Sequence, residues 1–432
     1  MEDLRTYQYS LVQRLSFLRY GGTDDEVRAA KILMDEITSF GGSGEYMEFT
    51  IPACECSKCS IVNTATGSEI ESVPYWCSGS LPEGGLDLKM VYVERGVEAD
   101  YVGLGDLSDC VVLLDEFNLD AYKMICEKKP AAFIVMAAGK YYDTAETADL
   151  VPRALREAFL KFGCVPGFII RPCDVMELVS QGDVTLHMEL VQENCERTSR
   201  NVQAVIPGTE YSEGSIVLTA HYDSVLVGTG SWDNATGSAA LMYLYQHFLK
   251  NPAKRTLRFV WCGSEEQGLL GSKAYVEKNP ELVKDIKFCF NFDMNGTILG
   301  PNMIFVTGGD DLKHMAEQIC CEEGYSSDIK VLVHSSDSAP FADKGIPSIG
   351  LSRGTKTAEI HTRHDLMPTL SAERMYDLGV FAAKFISRVA NSAIIPIPLG
   401  MPEDIKKELD KYFKRENKAE EKKEEEKPAA KA

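Results

Sequence analysis

An α/β fold is predicted, with a mostly parallel mixed sheet flanked by helices on both faces and an inserted smaller, β-rich α/β domain. Three observations predict it. From about 200 to 395, short apolar strands alternate with helical stretches, the order that builds a parallel sheet covered on both sides. From about 65 to 195 the texture changes to closely spaced β-like runs separated by turns, with two helical patches. Before both, residues 1 to about 45 carry apolar side chains at helical spacing. The expected organisation is a main domain over 1–64 and 197–398, an insertion over 65–196 and a charged tail over 399–432.

Each element follows from its local pattern. In "LVQRLSFLRYGGTDDEVRAAKILMDEITSFGG", Gly21 and Gly22 stop one helix, and Thr23-Asp24-Asp25-Glu26 caps the next. "YMEFTIPACECSKCS" then alternates as a strand does. In the insertion, "LKMVYVER", "CVVLLDE", "AAFIVMAAG", "PGFIIRP" and "VTLHMELV" read as strands. Beyond it, "SIVLTAHYDS", "TLRFVWCGSE", "FCFNFDMNG" and "IPSIGLSRG" are strands. "NATGSAALMYLYQHFLKN" and "SAERMYDLGVFAAKFISRVAN" are helices, with Asp233 opening the first. The final "KRENKAEEKKEEEKPAAKA" is low-complexity and charged, and is expected to be disordered or frayed helix.

Composition narrows the function. With 65 acidic against 45 basic residues the net charge is -20, which argues against nucleic acid as a partner. No run approaches the roughly 18 apolar residues of a membrane-spanning helix, so no membrane partner is expected. The N-terminal "MEDLRTYQYSLVQRLSFLRYGG" has no apolar signal core. The 13 cysteines then read as reduced thiols of a cytoplasmic protein. Cys54, Cys56 and Cys59, with Cys77 further on, alternate in a strand pattern and read as buried thiols, not as a metal site. No sequence pattern specifies an oligomeric state.

The polar residues at the ends of the predicted strands carry the chemistry. His221 and Asp223 follow "SIVLTA", and Asp233 follows a glycine-rich loop. Glu265 and Glu266 follow "LRFVWCGS", Asp293 follows "FCFNF", and His361 lies in "AEIHTRHD". In open α/β sheets, sites lie outside the carboxyl ends of the strands. Imidazoles and carboxylates gathered there are the usual ligands of zinc-type divalent ions. Gly228 and Gly230 allow the tight turn between His221 and Asp233. "GTGSWDNATGS" lacks the spacing of a phosphate loop. Ser338 lacks the surroundings of a triad nucleophile. His187, His247, His314 and His334 are scattered along the chain.

The ordered set His221-Tyr222-Asp223-Ser224, Trp232-Asp233-Asn234-Ala235-Thr236-Gly237, Glu265-Glu266-Gln267-Gly268-Leu269-Leu270-Gly271-Ser272, "NFDMNG", "SSDSAPFADKGIPSIGL" and "IHTRHD" resembles the zinc-dependent exopeptidases typified by aminopeptidase S and aminopeptidase Y. The resemblance covers about 200–390 and the N-terminal helices. It implies two Zn2+, or another divalent ion such as Co2+ or Mn2+, and a peptide substrate with a free N-terminus. His221 and Asp293 would hold one metal, Glu266 and His361 the other, and Asp233 would bridge both. Glu265 would be the general base, and Asp223 would hold the His221 ring by its free nitrogen. The Asp233-Asn234 bond would be cis. The insertion resembles, more loosely, a protease-associated domain.

One departure touches the ligand set. The family's last motif has Pro two residues after the ligand His, whereas this chain reads His361-Thr362-Arg363-His364-Asp365. Alignment on His-Thr selects His361 over His364. Two other enzyme types on the same fold remain open. A carboxypeptidase would clamp the substrate carboxylate with a base such as Arg353 or Arg363, and a glutaminyl cyclase would use one zinc. A third alternative, a catalytically dead binding protein, would lose ligands, and all five are present here.

Overall fold

The structure, a computed structural model, describes residues 4–144, 146–356, 358–397 and 400–413. The chain divides into two compact units, residues 1–49 with 198–432, and residues 50–197. The first division falls after Phe49, earlier than the expected 64. The reason is that Gly44–Asn63 is one unbroken strand whose alternating composition gives no sign of a boundary. The second falls after Arg197, inside the strand Thr185–Ile206.

The first unit begins with α1 (Leu4–Leu15) and α2 (Asp24–Ser39), followed by β1 (Gly44–Asn63). Helix α1 stops earlier than its apolar spacing suggests. The fully buried Arg19 folds back and donates to the carbonyls of Leu15 (2.7 Å) and Phe17 (3.0 Å). Helix α2 has the predicted cap: Thr23 Oγ1 accepts from the Glu26 amide, and Glu26 Oε2 accepts from the Gly22 amide.

After β2 (Thr185–Ile206) the sheet of this unit is built from β3 (Tyr211–His221), β4 (Arg255–Cys262), β5 (Phe288–Phe292), β6 (Asn302–Thr307), β7 (Ser327–Val331) and β8 (Ser348–Arg353). Their spatial order is β7-β6-β8-β5-β3-β4-β2. The pairs β7–β6, β8–β5, β5–β3 and β3–β4 are parallel, while β6–β8 and β4–β2 are antiparallel. The sheet is therefore mixed and mostly parallel, as expected. The central strands are buried on both faces, which is why they read as continuous apolar runs. Helices α3 (Thr236–Lys250), α4 (Leu270–Lys278), α5 (Asp310–Glu323) and α6 (Ala372–Ala390) lie between or after these strands. The main core joins α1, α3 and α6 to β3, β4 and β5 through Tyr245, Phe259, Trp261, Phe290 and Phe385. Trp261 Nε1 donates to Ser238 O at 3.0 Å, so its one polar atom is satisfied inside that core.

Two expectations change. Helix α3 starts at Thr236, not at Asp233. Asp233 (φ -110°, ψ 93°) and Asn234 (φ -136°, ψ 46°) form an irregular turn ahead of it, because their side chains are committed elsewhere. Within 399–432, residues Glu403–Tyr412 form a helix, α7, whose Ile405 and Leu409 pack with Ala342 and Met401. An apolar pair four residues apart outweighs the charged composition there. Residues 414–432 lie outside the described residues. Among the described residues, no helix is long and apolar enough to cross a membrane.

The second unit contributes a further run of strands. Its strand order is residues 185–188, Leu86–Tyr92, Cys110–Leu114, Ala132–Met136, Gly167–Ile170 and Ser72–Trp76, with parallel pairing in the middle and antiparallel pairing at both ends. The helices Leu119–Lys128 and Pro172–Gln181 are the two predicted patches. An aromatic cluster of Tyr75, Phe117, Tyr122, Phe133 and Phe159 fills one of its cores.

Glu26 of α2 is a buried acid facing Ser199, the Gly22 amide, Asp223 and Arg200. Burial pushes its carboxyl up from 4.5 to about 7, against the hydrogen bonds from Ser199 and Gly22. A raised acid pKa favours the folded state below pH 4.5, and that advantage is lost as pH rises through 7. The loss amounts to about 3 kcal/mol at most, at 1.36 kcal/mol per pKa unit. Glu26→Gln is expected to flatten the stability profile between pH 4.5 and 7. Urea midpoints across that range check this, and parallel profiles for the two proteins would contradict it.

Candidate metal centre

Five separate segments bring the predicted residues together at the carboxyl ends of β3, β4 and β5. His221 ends β3, and the chain then crosses to Asp233 through a loop held by Arg19. Its guanidinium donates to Tyr222 O (2.5 Å), Thr229 O (2.7 Å) and Gly230 O (2.7 Å). Gly228 (φ +76°) and Gly230 (φ +56°) take left-handed conformations there. A Cβ on Gly228 would lie 2.4 Å from Thr362 O, so this loop and the His361 loop approach backbone to backbone. Asp365 fastens the same junction by accepting from the amides of Trp232 (2.6 Å) and Asp233 (3.0 Å). Asn234 ties Asp233 to the end of β5. Its Nδ2 donates to Phe292 O (2.9 Å), and its Oδ1 accepts from the amides of Gly237 and Met294. The Asp233-Asn234 peptide is cis.

The polar atoms converge. His221 Nε2 lies 3.2 Å from Asp233 Oδ1 and 3.4 Å from Asp293 Oδ1. His361 Nε2 lies 3.1 Å from both Asp233 Oδ2 and Glu266 Oε2. Asp233 thus touches both histidines, one with each oxygen. Three groups have ligand atoms within 4.8 Å of one another: His221 with Asp233 and Asp293, Asp233 with Glu266 and His361, and His221 with Glu265 and Glu266. Glu265 Oε2 stands 4.0 Å from His221 Nε2. His364 is exposed and belongs to none of these groups, while its backbone amide donates to Thr362 Oγ1. Ser336 Oγ donates to Asp293 Oδ2 at 2.5 Å and accepts from Asn291 Nδ2.

The position of Asp223 refines its expected role. Its Oδ1 is 3.4 Å from His221 Nδ1, at the outer limit of a useful contact. Its stronger bonds go to backbone: Oδ1 accepts from the Glu265 amide (3.0 Å) and Oδ2 from the Glu266 amide (3.2 Å). This buried carboxylate therefore sets the turn that carries both glutamates.

So many acids in one buried place perturb one another. Burial and the Asp233 charge push Glu266 up to about 7, opposed by the histidines. Burial holds Glu265 well above the usual carboxylate range, with Glu266, Asp337 and Asp293 adding to it against His221. Burial disfavours protonated histidine, yet the surrounding carboxylates win. They raise His221 well above its ordinary value and His361 to about 10. Burial lowers Arg19 only to about 10, leaving it a permanent cation behind the site. The centre fits divalent cations on its own evidence: the buried oxygens Glu266 Oε1 and Asp293 Oδ1 have no hydrogen-bond partner.

Residues that the sequence did not single out do much of the holding. Arg19 and Glu26 lie in the N-terminal segment, more than 190 residues from the motifs. Asp365 sits inside "IHTRHD", four residues after His361, and that proximity was the only available signal.

Residues 201–386 match the model of Peptidase family M28. The chain is 26% identical over 390 residues to aminopeptidase YwaD of Bacillus subtilis, covering 86% of this chain and 82% of that protein. It is 30% identical over 202 residues to leucine aminopeptidase 2 of Arthroderma otae, spanning 43% of this chain and 40% of that one. Its fold is similar to that of a zinc aminopeptidase from Bacillus subtilis, with a TM-score of 0.77 at 22% identity, covering 93% of this chain and 98% of the other.

Asp365→Ala leaves two buried backbone amides without acceptors. Stability is expected to fall by about 2–6 kcal/mol, at roughly 1–3 kcal/mol per stranded donor. Urea unfolding of the metal-free protein measures it, and an unchanged midpoint would refute the role given to Asp365. The stretch that matches Peptidase family M28, residues 201–386, contains all five candidate ligands, His221, Asp233, Glu266, Asp293 and His361.

Proposed function

We propose that this protein is a zinc aminopeptidase that hydrolyses the first peptide bond of peptides with a free N-terminus. The observation that carries the proposal is the pair of ligand groups sharing Asp233, with Glu265 beside them. In this reading His221 and Asp293 would hold one ion, Glu266 and His361 the other, and Asp233 would serve both. When bound, a zinc pair polarises the scissile carbonyl and acidifies water. Glu265 takes up a proton at its carboxylate and delivers it to the leaving amine, a task suited to its place beside both ligand groups. Asp223, through the amides of residues 265 and 266, keeps the two glutamates turned to different tasks.

The competing readings have less support. A carboxypeptidase needs a base free to clamp the substrate carboxylate. Arg353 is buried and donates to Thr297 O and Asn302 Oδ1. A one-zinc cyclase would not need two complete ligand groups. The strand-helix order of the second unit supports a protease-associated-like domain. The free thiols of all 13 cysteines support a reducing, cytoplasmic setting.

Glu265→Gln is expected to lower kcat by about 10²–10⁴, the usual worth of a general base, with both zinc ions retained. Amino-acid anilide hydrolysis and elemental analysis of the same sample test it, and undiminished turnover would remove Glu265 from the mechanism. Cleavage of N-blocked peptides as fast as free ones would sink the aminopeptidase assignment. His361→Ala should leave one tightly bound zinc per chain and His364→Ala two. The reverse result would reassign the ligand.

A further inference from the structure

The turn that presents the twin glutamates is anchored from below by groups that touch neither the ligands nor the expected substrate position. Strand β4 ends at Cys262, and the Gly263 amide donates to Asn201 Oδ1 at 3.1 Å. Ser264 then adopts a left-handed conformation, φ +52°, which a residue with a Cβ takes up only when its surroundings hold it there. Its fully buried hydroxyl donates to Ser199 Oγ at 2.8 Å and lies 3.5 Å from Glu26 Oε1. Ser199 Oγ donates in turn to Glu26 Oε1 at 2.5 Å. A Cβ on Gly263 would stand 2.6 Å from that same oxygen, so the Glu26 carboxylate lies directly beneath the end of the strand. Above Ser264, Asp223 receives the next two amides. The turn is thus gripped on both sides, by Asp223 through backbone and by Glu26 through two serine hydroxyls.

From this arrangement we infer that Glu26 is a positioning residue for the general base: through Ser199 and Ser264 it fixes the left-handed turn at residue 264 and so aims the Glu265 carboxylate. A capping role for α2 accounts for one of its oxygens, the one that accepts from the Gly22 amide. The other oxygen is directed at the turn and adds nothing to the helix. Without that acceptor both serine hydroxyls lose their anchor, Ser264 relaxes to an ordinary backbone conformation, and Glu265 swings with it. A small misplacement of a reacting group slows the chemical step while leaving binding largely intact.

The inference rests on Glu265 being the general base, so Glu265→Gln is assayed alongside. The test compares Glu26→Ala, Glu26→Gln and Ser264→Ala at pH 8 with anilide substrates, after zinc loading. Zinc content and the folded fraction are measured on the same samples. Glu26→Ala should lower kcat about tenfold or more per folded, zinc-loaded molecule, with KM and zinc content within about twofold of the parent. Glu26→Gln, whose amide oxygen still accepts from Ser199, should recover most of that loss. Ser264→Ala, which leaves the α2 cap intact, should reproduce the kcat defect even where Glu26→Ala yields no folded protein. Parent-like kcat in Ser264→Ala, or a Glu26→Ala defect confined to the folded fraction or zinc content, would overturn the role of Glu26. Full turnover in Glu265→Gln would instead overturn the assignment of the base.

Discussion

Like charges held together in a buried place are the constraint on which this structure turns. Asp233, Glu265, Glu266 and Asp293 meet two imidazoles at the carboxyl ends of three adjacent strands. Left to themselves these carboxylates would repel one another and seek water. They stay because each is fixed by something that cannot follow it outward. Asp365 grips the Asp233 amide, Ser336 the outer oxygen of Asp293, and Asp223 the backbone of both glutamates. Behind them the buried Arg19 supplies a permanent positive charge and binds the carbonyls of the loop between His221 and Asp233.

The supports are mostly side chains bonded to backbone, and this has a chemical consequence. A carboxylate that accepts from amides positions a turn without donating a proton or occupying a ligand position. Asp223 and Asp365 can therefore lie within a few ångströms of the candidate ligands and leave their oxygens facing inward. The unpartnered oxygens of Glu266 and Asp293 are then the sites where divalent cations would restore the balance of charge.

The twin glutamates illustrate how neighbours acquire different tasks. They follow one another in sequence, yet Glu266 meets His361 at 3.1 Å while Glu265 stands 4.0 Å from His221. A left-handed residue before them and a bidentate acceptor above them turn the chain so that adjacent side chains diverge. In the proposed mechanism that divergence separates a ligand from a base.

Much of the site was legible in the sequence, because ligand chemistry demands particular residue types at strand ends and those strands are long apolar runs. His221, Asp233, Glu265, Glu266, Asp293 and His361 were all named from strand ends and from the order of their motifs, as were the alternating strands and helices around them. The spacing "HTRH" left two histidines available, and only the packing of the His361 loop against the Gly228 turn decided which one faces inward. The supports were not legible. Glu26 reads locally as a helix cap and Arg19 belongs to no motif, since local sequence carries no record of what lies across the fold. The division between the two units after Phe49 and the start of α3 at Thr236 were equally hidden, because a strand can run on through a domain boundary and tertiary bonds can unwind the start of a helix. Sequence by itself determined the chemistry this protein can hold and the strands that present it. The tertiary structure decided which groups restrain that chemistry, because burial and long-range hydrogen bonds act between residues that the chain keeps far apart.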